Sequence, residues 1–486
     1  QKFYLYMNLT KPEEFLHISY SKVSSDGKTL RPAYLVWDLK KLFPKLVVTE
    51  EEALLMTQRE LTPGEGLEFV IRGVRDRYLG VDESWKELYT WYRQNEGQKV
   101  DRILDAGFFK KKPDALTGEE AAELYGEKKQ FSVTRMERFS ACAYAHFLTY
   151  GLHLSDRERY EFEAMDLGNI AHQSMERFAR KAQEKRMPWP KLEEVQRDAM
   201  IEESVEESIK DYGNTVLYST ARNEYMIVRI KQLIRRSVWA LTRQMEKGDF
   251  EPSGYEMNFG SGKIDRVDTC EDEDVVYVKV TDYKTGMKSF DIVALYHGLQ
   301  MQLPVYLNAA LELEERRASG KTVEPAGIFY YRIKDPIVDR EKDDHALEEK
   351  ILKELRLDGM INAKEEVIEH LEHQLSGTSV LNPIGKNKDG SLNRYSKVLP
   401  PEAFAAMLSY TKKKEARVKR QIYAGEVQAN PYELNGSTGC DYCAYRDICG
   451  FDPRLDGYAY RSLEKYSKEE VIRRMEEEIE NREEPS

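Results

Sequence analysis

Asp265, Asp282 and Lys284 are the residues of this 486-residue chain whose types and spacing speak most directly of chemistry. In an extended chain, residues two apart share a face, so Asp282 and Lys284 point one way and Tyr283 the other. Residues 262–268 read as the preceding antiparallel strand, with the acidic stretch 271–274 as the turn. Such a hairpin brings Asp265 beside Asp282. Adjacent carboxylates repel unless a cation lies between them, and hard oxygen donors select Mg2+ or Mn2+. An ion so held lowers the pKa of a bound water and polarises a phosphoryl oxygen. Lys284 is placed to orient or deprotonate that water. Bare D-x(n)-D-x-K matches are common by chance, and solvated turn residues are the plain alternative. The apolar strand under the motif, and Gly262 three residues before Asp265, tilt the balance toward a site. His172, four residues after Gly168, and Gln302 with Tyr306, on one helix face at i, i+4, are further candidates. Each alone reads as a satisfied histidine or as packing.

Four cysteines carry a second kind of chemistry. Cys142 stands by itself, and Cys440, Cys443 and Cys449 follow as C-x2-C-x5-C. Four thiolates bind zinc or an iron–sulphur cluster. Structural zinc takes two short pairs, so this spacing favours the cluster. Cys270 is expected in the hairpin turn as a free thiol, and His370 and His373 on a solvated helix face.

These residues need a scaffold, and hydrophobic periodicity outlines it. Residues 255–285 read as strands, with alternation through Val276, Val278 and Val280. Residues 299–313 return to helix and 327–332 to strand. Upstream, Ser132 reads as the N-cap of a helix with Met136, Phe139, Cys142 and Phe147 on one side. Residues 167–187 form another helix, opened by Gly168, and 192–248 are long, charged and helical. Residues 335–430 read as mostly helical around a loop at 382–395, and 467–480 as a charged helical tail. At the start, residues 3–7 read as a strand leading into a turn and an extended segment, followed by helix over 51–98. The expected plan is a first domain over 1–112, a polar linker at 113–130, a main domain over 131–455 and a tail from 456 to 486.

Composition limits the function classes. The length exceeds one ordinary core, and 41% hydrophobic with 33% charged content describes a soluble globular protein. No apolar run approaches the ~18 residues of a membrane span and no leader opens the chain, so cytoplasmic residence is expected. The initial Gln1 suggests a start inside a longer polypeptide. Five cysteines argue against a disulfide scaffold. A net charge of -12 does not by itself suggest nucleic acid. Local basic clusters, Lys110, Lys111 and Lys112, then Lys412, Lys413 and Lys414 with Arg417, Lys419 and Arg420, read equally as nucleic-acid contacts or solvated helix faces.

Taken in order, Gly168-x3-His172, Gly262-x-Ile264-Asp265-Arg266-x-Asp268, Asp282-Tyr283-Lys284 and Gln302-x3-Tyr306 resemble the RecB-type nucleases of the PD-(D/E)xK superfamily. The cysteines narrow the resemblance to the iron–sulphur branch. Ser132-x-Thr134-x2-Glu137-x4-Cys142, residues 325–330 and Cys440-Asp441-Tyr442-Cys443-x-Tyr445-Arg446-x2-Cys449 are similar to the C-terminal part of the AddB-type subunits of bacterial AddAB helicase–nucleases. The likeness covers residues 131–455 strongly and 1–60 weakly. Ala143 departs from it, standing where proline is usual. The resemblance implies an α/β fold: a restriction-endonuclease-like core, a mixed sheet flanked by many helices, with an N-terminal helicase-like remnant. It implies His172, Asp265, Asp282 and the main-chain carbonyl of Tyr283 as Mg2+ ligands, with Lys284 at the attacking water. Gln302 and Tyr306 would organise the strand beside the scissile phosphate, and Glu256 would support them. Cys142, Cys440, Cys443 and Cys449 would hold a structural [4Fe-4S] cluster. DNA would be the substrate and AddA the motor partner, the 5′-ended strand being degraded as double-strand breaks are resected for recombination.

Leu9-Thr10-Lys11-Pro12 resembles the last motor motif of a superfamily 1 helicase, with lysine where active motors carry arginine. Gly27-Lys28-Thr29 and Gly320-Lys321-Thr322 lack the earlier glycine of a P-loop, so no ATPase activity is expected here. Two other readings stay open. A catalytically silent DNA-binding scaffold is opposed by the intact Asp265, Asp282 and Lys284. A stand-alone exonuclease of the CRISPR-adaptation type is opposed by the chain length and the helicase-like start.

Overall fold

The chain divides into two units, Gln1–Phe109 and Lys110–Ser486. The structure is a computed structural model that describes residues 2–24, 28–50, 62–76, 84–112, 114–126, 131–155, 162, 164–212, 215–218, 220–260, 262–318, 320–341 and 343–480. In the first unit, helices α1 (Lys2–Leu9), α2 (Tyr34–Leu42), α3 (Pro63–Asp76), α4 (Trp85–Asn95) and α5 (Gly97–Gly107) follow one another. Val70, Val74, Tyr92 and Val100 from the last three form a small core. Residues 3–7 are therefore helix, not strand. Five apolar residues carry no period that separates the two, and among the described residues they have no ladder partner. The helix expected over 51–98 is realised over Pro63–Asp76 and Trp85–Asn95; residues 51–61 and 77–83, and Gly27 of the rejected P-loop match, lie outside the described residues.

The second unit opens with α6 (Gly118–Tyr125), where a linker was expected. Thr117 and Glu120 form a reciprocal capping box, a T-x-x-E signal that starts a helix, and Ala121 and Tyr125 are buried. Then come α7 (Val133–Ala141), capped by Ser132, α8 (Ala143–His146), α9 (Ala164–Glu184), α10 (Glu194–Tyr212) and α11 (Ala221–Met245). Gly168 lies inside α9 rather than opening it. A Cβ there would sit 3.3 Å from Thr285 Oγ1, so glycine lets the helix approach the end of the central strand.

A mixed six-stranded sheet forms the centre, in the order β1 (Glu251–Phe259), β2 (Gly262–Asp272), β3 (Val275–Lys284), β4 (Thr322–Arg332), β5 (Asp358–Asn362), β6 (Val398–Leu399). The pairs are antiparallel except β3 with β4 and β5 with β6. Between β3 and β4 the chain crosses through α12 (Ile292–Tyr296) and α13 (Gln302–Glu315). Helices α14 (Asp344–Glu354) and α15 (Glu365–Leu371) flank β5, so residues 335–430 are less helical than expected. The long α16 (Pro401–Tyr423) follows, then a small sheet of β7 (Tyr432–Leu434), β8 (Ser437–Thr438) and β9 (Arg461–Ser462) around the short α17 (Arg446–Cys449). The last helix, α18 (Lys468–Glu480), packs Val471 and Met475 into the main core against α16, so the charged tail belongs to the body of the unit.

Strand β3 is buried on both faces, which its run of valines and tyrosines allows. Val276, Val278 and Val280 enter one core with α7, α13, α16 and α18; Tyr277 and Tyr283 enter the other with α9, α10 and α11. Each such side chain removed from water stabilises the fold by roughly 1.5–3 kcal/mol. Cys270 is not in the turn. It pairs with Tyr277 inside the hairpin and is buried, because the turn is confined to Glu273 and Asp274. No helix among the described residues is long and apolar enough to cross a membrane.

Candidate active site and cysteine clamp

The β2–β3 register pairs Arg266 with Thr281, and its next step sets Asp265 against Asp282. The β1–β2 register, bracketed by Tyr255–Arg266 and Met257–Ile264, sets Glu256 against Asp265 from the other side. Asp265 Oδ2 accepts the Tyr283 backbone N–H at 2.7 Å and lies 3.2 Å from His172 Nδ1 on α9. His172, Glu256 and Asp265 each bring one donor atom within 4.8 Å of the others. Glu256, expected only in support, is one of the three members of this group. Its backbone is left-handed, with φ of 46°, a conformation that costs a side chain roughly 1–3 kcal/mol and that collects at functional sites.

Asp282 is almost fully buried. Lys284 Nζ lies 2.5 Å from its Oδ2, without the alignment of a hydrogen bond, and Gln302 Nε2 donates to its Oδ1 at 2.9 Å. The same amide donates to Tyr306 Oη at 3.0 Å. Burial, then the charge of Asp265, pushes the Asp282 carboxyl up to about 7. Glu256 is raised by burial and by Asp265. At His172, burial opposes the charged form, but the hydrogen bond and charge of Asp265, aided by Asp282, outweigh it and hold the imidazole above its ordinary value. The set behaves as a crowd of acids short of positive charge. The Tyr283 side chain points into the opposite core, and its backbone lies between Asp282 and Lys284.

The four distant cysteines converge. The Cys440 thiol is raised by burial and then by the charges of Cys142, Cys443 and Cys449. Cys142 ends α7. Around it the chain is stitched to the C-terminal segment: Ala143 N–H donates to Asn430 Oδ1 at 3.0 Å, Tyr144 N–H to the Gln428 carbonyl at 3.0 Å, and Thr149 Oγ1 to Tyr445 Oη at 3.1 Å. Arg461 also donates to the Ser140 carbonyl. Proline at 143 could not make the Asn430 bond, which gives the alanine a use. Gly439 approaches so closely that a Cβ would lie 2.9 Å from the Ala141 carbonyl oxygen. The Phe451 N–H points at Cys449 Sγ, 3.5 Å away.

The sequence profile of the PD-(D/E)XK nuclease superfamily matches residues 130–450. The chain belongs to that superfamily. The nuclease unit is also similar, with the rest of the chain, to proteins named as the B-type subunit of an ATP-dependent helicase/deoxyribonuclease. One from Lachnoclostridium phytofermentans is 37% identical over 97% of this chain and 42% of its own length. Another, from Alkaliphilus oremlandii, is 32% identical over 99% of this chain and 44% of its own. The chain thus spans less than half the length of these relatives.

Within the nuclease unit, Glu137 has a role that its place in the sequence does not announce. Glu137 Oε1, on α7, accepts the backbone N–H groups of Met301 at 2.7 Å and Gln302 at 3.0 Å, capping α13 from another helix. Burial raises its carboxyl, opposed by Lys288 and by these N–H groups. An acid flanked by Met136 and Phe139 on a helix was the available signal. Glu137→Ala is expected to cost about 1–2 kcal/mol in chemical denaturation and to lower cleavage about tenfold by loosening Gln302. Unaltered stability would remove the capping role.

The basic residues of α16 mostly meet acids of the same unit. Lys412 contacts Glu312 at 2.9 Å, Arg417 contacts Glu478 at 2.7 Å, and Lys413 donates to the Glu478 carbonyl. This cluster joins α16 to α13 and α18.

Proposed function

We propose that this chain carries the Mg2+-dependent deoxyribonuclease centre of a helicase–nuclease that resects DNA double-strand breaks for homologous recombination. The observation that carries the reading is Asp282, buried between Asp265, Lys284 and Gln302 on the central strand. A carboxyl pushed up to about 7 beside a second carboxylate fits a divalent cation, since such an ion relieves both burial and repulsion. His172, Asp265, Asp282 and the Tyr283 carbonyl would hold it, with Glu256 near enough to join. When bound, magnesium supplies an acidified water and a polarised phosphoryl oxygen.

The protein's own side chains do the rest. Lys284 presents its ammonium to the water and to negative charge that grows on the phosphate. Gln302 fixes the Asp282 carboxylate and the Tyr306 hydroxyl, and Gln302 and Tyr306 organise the DNA strand beside the scissile bond. Glu137 keeps α13 aimed at them. The cysteines fit a [4Fe-4S] cluster better than zinc. A lone cysteine far from a C-x2-C-x5-C trio is unlike the paired short turns of structural zinc. An N–H directed at Cys449 Sγ also suits cluster thiolates.

The pH dependence has a definite sign. Asp282, about 7 in the metal-free fold against an ordinary 3.8, holds a proton that the unfolded chain releases. Its contribution to metal-free stability is therefore present at low pH and lost as pH rises from about 4 to 7. Mg2+ must displace that proton, and the one favoured on His172. Calorimetric Mg2+ affinity is expected to rise up to about pH 7 and then flatten, with proton release; Asp282→Asn should flatten the rise. An affinity independent of pH contradicts the ligand set.

The function itself is tested on duplex DNA labelled at either end, with the full-length subunit, its AddA-type motor partner, ATP and Mg2+. The expected result is magnesium-dependent shortening of the 5′-ended strand. Shortening confined to the 3′-ended strand would overturn the polarity, and none at all would overturn the nuclease.

A further inference from the structure

A second group of metal-type donors lies at the far end of the same hairpin, about 16 Å along β2 from Asp265. Cys270, an Asp249 carboxylate oxygen and a His370 nitrogen come within 4.8 Å of one another. They arrive from three segments distant in sequence: the turn after α11, strand β2, and helix α15. Backbone bonds fix the approach. Asp249 N–H donates to the His370 carbonyl at 2.9 Å, and His373 N–H to the Lys247 carbonyl at 2.8 Å. Gly248 makes this possible, because a Cβ there would lie 2.4 Å from the His370 carbonyl oxygen.

The side chains are aligned as well. Asp249 Oδ2 lies 2.8 Å from His370 Nδ1, and Oδ1 lies 2.9 Å from His373 Nε2. Ion pairing accounts for those three residues. It does not account for Cys270, which is 3% exposed, free, and makes no side-chain hydrogen bond among the described residues. A buried thiol turned toward a carboxylate and an imidazole has the composition of a zinc site, in which thiolate and imidazole favour zinc over the hard magnesium of the catalytic centre.

We propose that Asp249, Cys270 and His370 bind a zinc ion, with His373 orienting the Asp249 carboxylate. Tetrahedral bonds of about 2.0–2.3 Å separate donor atoms by about 3.3–3.8 Å. The Asp249–His370 contact therefore widens by about half an ångström, which Asp249, at 44% side-chain exposure, is free to do. Solvent reaches the fourth position from the Asp249 side. His373 plays the part that hydrogen-bonded partners of metal ligands usually play. The ion ties the α11–β1 turn, the sheet and α15 together, remote from the catalytic carboxylates.

The test uses the full chain purified without chelators and equilibrated with micromolar zinc. Elemental analysis is expected to give about one zinc per chain, and zinc-edge X-ray absorption to show one sulfur neighbour among nitrogen and oxygen. Cys270→Ala and Asp249→Asn should each lower zinc content at least tenfold while iron content and nuclease activity stay unchanged. Asp249 is a surface residue, so its variant keeps the test valid if the Cys270 variant folds poorly. A four-sulfur spectrum, zinc content that neither variant changes, or no zinc uptake by the wild type would each overturn the proposal.

Discussion

Lys284→Ala is expected to slow magnesium-dependent DNA cleavage by ~10^3-fold or more and to leave the fold intact. The ammonium lies 2.5 Å from Asp282 Oδ2 at the end of β3, with its side chain 24% exposed. Removing it opens no cavity in either core. It does take a cation from a buried carboxylate, which ordinarily costs several kcal/mol. Asp282 escapes that cost by holding a proton, since its carboxyl already sits at about 7 and Lys284 is one of the groups holding it down. The metal-free variant should therefore melt close to the wild type, while catalysis loses the ammonium proposed to steady the attacking water and the growing charge on the phosphate. Lys284→Arg keeps the charge in a planar, bulkier form and should recover part of the rate. Single-turnover cleavage of end-labelled duplex, together with thermal melting, checks both halves. Cleavage by Lys284→Ala at the wild-type rate would falsify the assignment of the site.

The hairpin was legible because its signals agree. Alternating valines, a polar turn and a carboxylate at matching distance on each strand leave one register that buries the apolar face. His172, Gln302 and Tyr306 came from resemblance, and the structure brings them to Asp265 and Asp282 through helices whose placement no local pattern states. Three other features depend on partners. Glu256 joins the donor group because β1 lies across from Asp265. Cys270 reads as a turn residue because the acidic run beside it is longer than the two residues that the turn needs. His370 and His373 looked like a solvated face because the Asp249 they bind is far away in sequence. The N-terminal Phe3-Tyr4-Leu5-Tyr6-Met7 failed for a different reason: a run without polar alternation fits helix and strand alike. In α6 the capping box was present in the sequence and was outweighed by nearby Pro113 and Gly118.

Cys443→Ser is expected to remove the visible absorbance and the iron, and to destabilise the nuclease unit by about 4–5 kcal/mol, near the figure for closing a very long loop. The magnitude follows from what remains when the clamp opens. Asn430, Tyr445 and Arg461 still reach across to the Cys142 region, but each such hydrogen bond contributes only about 1 kcal/mol. The melting temperature should fall by about 5–6 °C, and protease should cut first around residues 440–460. Catalysis should suffer too, though no cysteine belongs to the donor group around Asp265. Helix α7 ends at Cys142 and carries Glu137, whose carboxylate caps α13 and so aims Gln302 at Asp282. Freeing the end of α7 loosens that line of contacts. Rate should therefore drop in Cys443→Ser by at least as much as in Glu137→Ala, and magnesium affinity should change little, because His172 and Asp265 are held by α9 and the sheet. An equal loss of magnesium affinity would mean that the clamp supports the whole sheet rather than α13. A colourless wild type with the melting point of Cys443→Ser would mean that these thiols hold no cluster.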